Sequence, residues 1–247
     1  MNKAFYLAIA IIAFTIPIVV MAPASIVTGL FGDAVQRNIP GLKIGATRGP
    51  IWEGSTQLKY QRFPTVTVSW EMAVLPLLSG KLSTLVELTG GGVQLEMSAV
   101  SSTSGGSLDN INGTIESRFI NAVSVDYGLE LTGVLELSGI NTSYDQRWLT
   151  SLKGITNWSG GIVHIETPAQ FYSVKLPALT GQLSMKDSNA MFDVASGNAT
   201  LLTLALKPDG WSQTSVSYML AEMAGLPLPK GYQDTTGPAF LLEEKLF

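Results

Sequence analysis

The sequence predicts a mainly β protein, in which an N-terminal transmembrane helix is followed by a curved antiparallel β-sheet domain. Three observations carry this prediction: an uncharged run from Ala4 to Gly32, alternation of apolar and polar residues after Gly41, and glycines that bound most alternating segments. The expected sheet is an open barrel or half-barrel with two similar halves, residues 41–150 and 151–247. Residues 1–32 are assigned to a membrane anchor and residues 33–247 to the β-rich domain.

The uncharged run is long enough to cross a bilayer, because about 20 apolar residues span the ~30 Å hydrocarbon core. A proline is tolerated inside such a helix. A cleaved signal peptide is an alternative, since Lys3 and the sequence Ala22-Pro23-Ala24 imitate its start and its cleavage site. A buried core helix is the third interpretation. Length and apolar character favour an uncleaved anchor, represented by Phe5, Ile11, Ile12, Pro17 and Val20.

The orientation of this anchor is not set by charge alone. Lys3 precedes the run, whereas Arg37, Lys43 and Arg48 follow it, so a count of positive charges does not by itself send the C-terminal part outward. A very short N-terminus is nevertheless typical of an anchor whose N-terminus stays in the cytoplasm. We therefore expect the large domain to be exported.

Composition excludes several classes of function. The net charge is −4 and no Lys- or Arg-rich run exists, so nucleic-acid binding has no electrostatic footprint. The chain contains no cysteine, which excludes disulfides, thiol catalysis, cysteine-based zinc sites and iron–sulfur clusters.

Alternation with a period of two places apolar side chains on one face of a strand and polar side chains on the other. The clearest examples predict strands in segments 65–72, 93–99, 129–137 and 202–206. The segment 101–107 (SSTSGGS) is predicted to be a flexible loop, and the chain after Gly225 is predicted to be irregular. Helices are predicted at Ser25–Asn38, at Ser143–Leu152 and at Val216–Ala224.

A short repeat suggests that the two halves are related. Gly49-Pro50-Ile51-Trp52-Glu53-Gly54 precedes one predicted strand, and a similar segment with Trp158-Ser159-Gly160-Gly161 precedes another. If the halves are equivalent, both Trp52 and Trp158 should be mostly buried, beside Gly54 and Gly160 respectively. The alternative for the five tryptophans is a set of sugar-stacking rings, but packing inside a sheet is favoured.

No arrangement of residues predicts an active site, a cofactor site or a metal site. His164 is the sole histidine, and its apolar neighbours predict a half-buried strand residue. The chain has no nucleophile-elbow motif, and its acidic residues are scattered; Asp187 and Asp193 are expected to flank a hairpin turn. The sequence therefore predicts a protein that is not an enzyme and that has no small-molecule substrate.

Several motifs resemble the type II secretion system protein N family. That family has a short N-terminus, one helix with Pro-Ala near its outer end, and then Gly-x-x-Trp-x-Gly, found here as Pro23-Ala24 and as Gly49, Trp52 and Gly54. A strand ending in tryptophan follows, and then Leu-Pro and Leu-Leu-x-Gly. A second Trp-Gly segment lies in mid-chain. These later positions are Trp70, Pro76, Gly80, Trp158 and Gly160.

The resemblance implies a non-enzymatic accessory component of a type II secretion system in the bacterial inner membrane. It further implies a single membrane pass, a cytoplasmic N-terminus, a periplasmic β domain, and the membrane and other secretion proteins as partners. The alternative is a lipid- or glycolipid-binding module similar to AsmA-type proteins. We expect a closed apolar interior without a continuous trough, plugged at one end by Val216–Ala224 and filled by Trp70, Met72, Leu95, Met97, Leu129, Leu131 and Phe192.

Overall fold

A computed structural model describes residues 21–166, 171–225 and 237–245. The predicted mainly β, antiparallel architecture is confirmed in these residues, which form one 13-stranded sheet and one three-stranded sheet. The large sheet contains β1 (Leu42–Arg48), β2 (Glu53–Tyr60), β3 (Val66–Ala73), β4 (Leu82–Gly90), β5 (Val93–Ser102), β6 (Gly105–Glu116), β8 (Val134–Asp145), β9 (Leu149–Trp158), β12 (Leu179–Lys186), β13 (Asn189–Ser196), β14 (Ala199–Leu206), β15 (Trp211–Ser217) and β16 (Pro238–Lys245). The small sheet contains β7 (Leu129–Leu131), β10 (Gly161–Glu166) and β11 (Phe171–Leu176).

The main sheet is a meander: its strands lie side by side in the same order as they follow one another along the chain. Successive connections therefore alternate between two ends. We call the end that carries the β1–β2, β3–β4 and β5–β6 turns the junction end, and the opposite end the insert end. Within the described residues β1 and β16 do not pair with each other, so the sheet is open. It also runs without interruption across residues 150 and 151, the suggested boundary between halves.

The small sheet lies outside the meander, at the insert end. Its strand β7 comes from the β6–β8 connection, whereas β10 and β11 come from the β9–β12 connection. The single strand predicted at 129–137 is therefore wrong: the chain leaves the small sheet and enters β8 at Gly133, whose φ of +100° lies in the left-handed region. Phe63, in the β2–β3 turn, packs on Phe119 of the β6–β8 connection with ring centroids 4.9 Å apart. Arg62 pairs with Asp126 of the same connection.

The helices are α1 (Ala24–Asn38), α2 (Ser117–Ser124) and α3 (Tyr218–Met223), with 3₁₀ turns at Leu75–Ser79 and Val125–Tyr127. The helix predicted at Ser25–Asn38 is confirmed as α1. It starts after Pro23, which is extended with φ −70° and ψ 139°, and it packs against β1. No helix among the described residues has the length and apolar character needed to span a bilayer. The predicted anchor residues Phe5, Ile11, Ile12, Pro17 and Val20 lie outside the described part of the chain.

The helix predicted at Ser143–Leu152 is wrong, because this segment is the tight hairpin between β8 and β9. Asp145 closes the turn: its carboxylate accepts hydrogen bonds from the backbone N–H groups of Arg147 at 2.7 Å and Trp148 at 2.9 Å. These two donors hold the pKa of the Asp145 carboxyl below its usual value. An aspartate that bonds its own backbone favours a turn over a helix.

Two further predictions concern the loop at 101–107 and the C-terminal tail. The loop prediction is wrong for Ser101 and Ser102, which end β5, and for Gly105, Gly106 and Ser107, which belong to β6. Residues 226–236 lie outside the described part, but the expectation of an irregular tail is wrong for 238–245, which forms β16. The helix predicted at 216–224 is confirmed as α3, and the side chain of Ser217 accepts a hydrogen bond from Leu220 N–H at its start.

Candidate functional site

The chain enters the described structure at the junction end and is fixed there to the β1–β2 turn. The N–H of Ala24 donates to the carbonyl of Gly49 at 2.9 Å, and the N–H of Ile51 donates to the carbonyl of Ala22 at 2.8 Å. Pro23 and Pro50 form an isolated antiparallel bridge. The Pro-Ala pair and the Gly-x-x-Trp-x-Gly motif, separated in sequence, are therefore one contact in the fold.

Gly54 and Trp70 extend this contact into the sheet, where they lie directly opposite each other on β2 and β3. A β-carbon placed on Gly54 would lie 2.7 Å from Trp70 Cζ2 and 2.8 Å from the carbonyl oxygen of Arg48. The Trp70 indole Nε1–H donates to the carbonyl of Ile51 at 3.0 Å. Glycine at this position therefore allows the indole ring to lie across the strand and to hold the turn that receives the N-terminal segment.

The Leu-Pro and Leu-Leu-x-Gly motif forms the next turn at the same end. Pro76 stands in the first turn of the 3₁₀ segment, and Gly80 ends it in the left-handed conformation with φ 72°. The hydroxyl of Ser79 donates to the Pro76 carbonyl at 2.8 Å. Three of the predicted motif segments thus meet at the junction end.

Trp158 and Gly160 lie at the opposite, insert end. Trp158 is the last residue of β9, whereas Trp52 precedes β2, so the predicted equivalence of these two tryptophans is wrong. The expected burial is met in part, since both side chains are partly buried and neither is exposed. Gly160, with φ 78°, turns the chain from β9 into the small sheet.

The structural counterpart of Trp158 is Trp70. Each stands opposite the second residue of the preceding strand, Gly54 of β2 or Leu135 of β8. Each donates its indole N–H at 3.0 Å to the carbonyl two residues before that strand, Ile51 or Thr132. In both places a tryptophan therefore fixes the backbone just before the neighbouring strand begins. Trp70 does so at the junction end and Trp158 at the insert end.

The strand register collects apolar side chains on one face of the main sheet. From β3 to β14 these side chains lie opposite one another, and all of them are half-buried. They are Val68, Trp70, Val86, Leu88, Leu95, Met97, Ile115, Leu135, Leu137, Leu183, Phe192, Leu202, Leu204 and Leu206. We call this surface the apolar face.

The predicted closure of this face is wrong. Trp70, Met72, Leu95, Met97 and Phe192 remain half-buried, and the other two expected interior residues, Leu129 and Leu131, belong to the small sheet. A cavity of about 270 Å³ opens on the face over β12 to β14, lined by Leu152, Leu183, Phe192, Leu204 and their neighbours. The physical reason is that, among the described residues, the open sheet has no second layer over this face.

The opposite face is polar and carries glutamates in pairs across neighbouring strands. Glu53 lies opposite Glu71, and Glu87 lies opposite Glu96. These side chains are exposed, and a cavity of about 440 Å³ beside them is also lined by Arg48 and Trp70. Like charges directly opposite each other are unfavourable, but water solvates these carboxylates. The described residues contain no group of three or more His, Cys, Asp or Glu that could hold a metal ion.

His164 lies in β10, half-buried in a strand as predicted. Its ring stacks on Phe171 with centroids 5.3 Å apart, and Glu130 lies opposite it on β7. The paired glutamates belong to the main sheet and His164 to the small sheet, so the fold does not align His164 with these glutamates.

The two edges of the main sheet differ. Helix α1 packs against β1, whereas β16 pairs with β15 on one side and with no described strand on the other. Sequence reasoning missed β16. Its signal was Pro238, which is tolerated at the first position of an edge strand, followed by the run Ala239 to Leu242.

Comparison with known proteins identifies the family. The family model for type II secretion system (T2SS), protein N, matches residues 40–227, a range that contains the Gly49–Gly54 segment, Trp70, the 3₁₀ turn and Trp158. Searches of curated proteins and of solved structures gave no match. The chain therefore belongs to the type II secretion system protein N family, and with it to the accessory components of that secretion machinery.

Proposed function

We propose that this protein is a non-enzymatic, inner-membrane accessory component of a type II secretion system whose β domain docks other components of the machinery. Residues 1–32 contain the anchor, with the N-terminus in the cytoplasm, and residues 33–247 belong to the periplasmic domain, to which the end of the 1–32 segment is joined as α1 packs against β1. The observation that carries the proposal is the unequal treatment of the two sheet edges.

The free edge of β16 is suited to docking by strand addition. An edge strand presents unpaired backbone N–H and C=O groups, which an extended segment of another chain can pair with. Proteins normally cover or shorten such edges, and here α1 lies against the opposite edge strand. Leu241 and Leu242 of β16 are exposed and would add apolar contacts on both faces of an added strand.

Site-specific photo-crosslinking in cells tests this docking. A photo-reactive amino acid at Leu242, which is 63% exposed, should give an adduct with another type II secretion component, identified by mass spectrometry. The matched control is Leu85, which is 47% exposed on β4 in the interior of the sheet. Adducts of equal yield at both positions, or none at Leu242 in a cell that assembles the machinery, would contradict docking at this edge.

Lipid binding is the second candidate function, and the open apolar face is the observation that favours it. Soluble monomers rarely expose contiguous apolar patches larger than a few hundred Å². The apolar face crosses most strands of the main sheet, and its cavity over β12 to β14 has an almost wholly apolar lining. Such a lining is suited to an acyl chain, which needs no hydrogen-bond partners.

Lipid extraction from the purified chain distinguishes the two candidates. A scaffold should carry no lipid beyond that of its detergent or bilayer, whereas a lipid-binding module should retain about one lipid per chain in its apolar cavity. Leu204→Glu places a charge in the cavity and should abolish retention in the second case. Leu241→Glu, at an exposed position on the other face, is the control. Lipid that is retained equally by both variants would exclude the cavity as its site.

A further inference from the structure

We propose that the junction end of the sheet rests on the bilayer surface, with the 3₁₀ turn Leu75–Ser79 in contact with lipid. This inference builds on the proposed membrane attachment, and it assigns to the Leu-Pro turn a role that the docking of partners at β16 does not require. The proposed contact of this end is a lipid surface. Three independent features of this end support it.

The first feature is exposed apolar surface on the turn itself. Val74 is 58% exposed and Leu77 is 38% exposed. No charged residue lies between Val74 and Lys81. Single exposed apolar side chains are ordinary, but Met21, next to the Ala22–Ala24 segment that is hydrogen-bonded to the β1–β2 turn, is also exposed. Exposed apolar side chains of the 3₁₀ turn and of the N-terminal segment therefore occur together at the junction end. Exposed apolar residues such as Val125 and Phe171 also occur at the insert end, so it is the point at which the chain enters that distinguishes the two ends.

The second feature is the place at which the chain enters. The segment before Met21 is uncharged from Ala4 onward, and Ala22 and Ala24 are held to the β1–β2 turn by two backbone hydrogen bonds. Trp70 of β3 fixes the β1–β2 turn through its hydrogen bond to the carbonyl of Ile51. A membrane-embedded N-terminal segment would therefore bring the junction end, and not the insert end, to the bilayer surface.

The third feature is the position of basic residues in a chain of net charge −4. Arg48 and Lys81 flank the two turns nearest the point of entry. Other junction-end turns carry Arg147, Lys186 and Lys207, but Asp145, Asp187 and Asp209 offset these charges, as Glu53 offsets Arg48, so Lys81 is the basic residue without an acidic neighbour in its own turn. A basic side chain near an anionic bilayer is attracted to it. Long basic side chains can also place their charge among the headgroups while their stems cover apolar surface. An apolar turn with a lysine at its end is thus suited to the interface.

Fluorescence quenching in proteoliposomes tests the contact. The chain has no cysteine, so Val74→Cys and Val125→Cys each give one labelling site in the full-length protein. The two valines are 58% and 53% exposed and lie at opposite ends of the main sheet, which makes them a matched pair. Each variant, carrying a polarity-sensitive fluorophore, is reconstituted into phosphatidylethanolamine–phosphatidylglycerol vesicles with and without lipids that bear a nitroxide quencher near the headgroup.

The label at Val74 should be quenched at least about threefold more strongly than the label at Val125, because only the former reaches the interface. Equal quenching at the two positions, or no quenching at Val74, would overturn the inference. The photo-crosslink at Leu242 reports docking separately. Loss of quenching with the crosslink preserved rejects the lipid contact alone, whereas quenching without the crosslink rejects docking at β16 alone.

Discussion

Replacing Gly113 with alanine is expected to destabilise the protein by about 3 kcal/mol or more, since overpacking and backbone strain add at this position. Gly113 lies in the interior of the main sheet, opposite Leu95 of β5 and Leu137 of β8, beside an irregularity in β6. Its φ is +135°, and a β-carbon would lie 2.0 Å from the carbonyl oxygen of Gln94. The obstructing atom is backbone, so no side-chain rotation relieves the contact, and β5 must separate from β6.

The measurement is urea denaturation followed by tryptophan fluorescence, and Gly139→Ala is the matched control. Gly139 also has a positive φ, +57°, but no atom lies within 4 Å of the position of its absent β-carbon. Its replacement should cost only the strain of a left-handed alanine, about 1 kcal/mol. Equal losses for the two variants would show that the close contact at Gly113 has no energetic consequence.

Trp70→Ala is expected to cost about 2–3 kcal/mol, below the 3–5 kcal/mol typical of a fully buried aromatic ring because Trp70 is half-buried. The variant loses the ring that lies against Gly54 and the hydrogen bond to the carbonyl of Ile51. The expected consequence is local as well as global. The backbone N–H groups of Ala24 and Ile51, which join the N-terminal segment to the sheet, should exchange with solvent faster.

Two companion variants separate the contributions. Trp70→Phe keeps an aromatic ring but removes the indole N–H, and should cost about 1 kcal/mol, the net value of one hydrogen bond. Trp158→Ala removes the corresponding ring at the insert end and should leave exchange at Ala24 and Ile51 unchanged. If Trp158→Ala accelerated exchange at these two amides as much as Trp70→Ala, the role of Trp70 at the junction would be wrong. Hydrogen exchange measured by mass spectrometry gives both results.

The strands were predictable wherever apolar and polar residues alternate on a sheet with one apolar face. The segments 65–72, 93–99 and 202–206 became β3, β5 and β14 for this reason. The same signal misled at 129–137, because β7 of the small sheet and the start of β8 in the main sheet share one alternation across Gly133. Periodicity reports which face a residue takes, but not which sheet it joins.

The site was less predictable than the strands. The motif residues were identified from the sequence, but the wrong tryptophans were paired, since Trp52 and Trp158 share a sequence pattern while Trp70 and Trp158 share a geometry. That geometry depends on which residue lies opposite on the neighbouring strand, which a single sequence does not encode locally. Closure of the apolar face was also inferred from side-chain size, whereas it depends on a second layer that bulky residues alone do not create.

The meander has a consequence for the order in which the protein folds. Every strand of the main sheet can pair with the preceding strand of that sheet as soon as it is available, so the sheet can grow from β1 toward β16 without waiting for distant parts of the chain. Most of the closures are short loops, which carry little entropic cost, whereas the β6–β8, β9–β12 and β15–β16 connections are longer. If the domain is exported from its β1 side onward while the N-terminus stays in the cytoplasm, its sheet could therefore assemble during translocation. Strand β7 is the exception, because its partner β10 follows only after β8 and β9, and the small sheet would be completed behind the advancing edge.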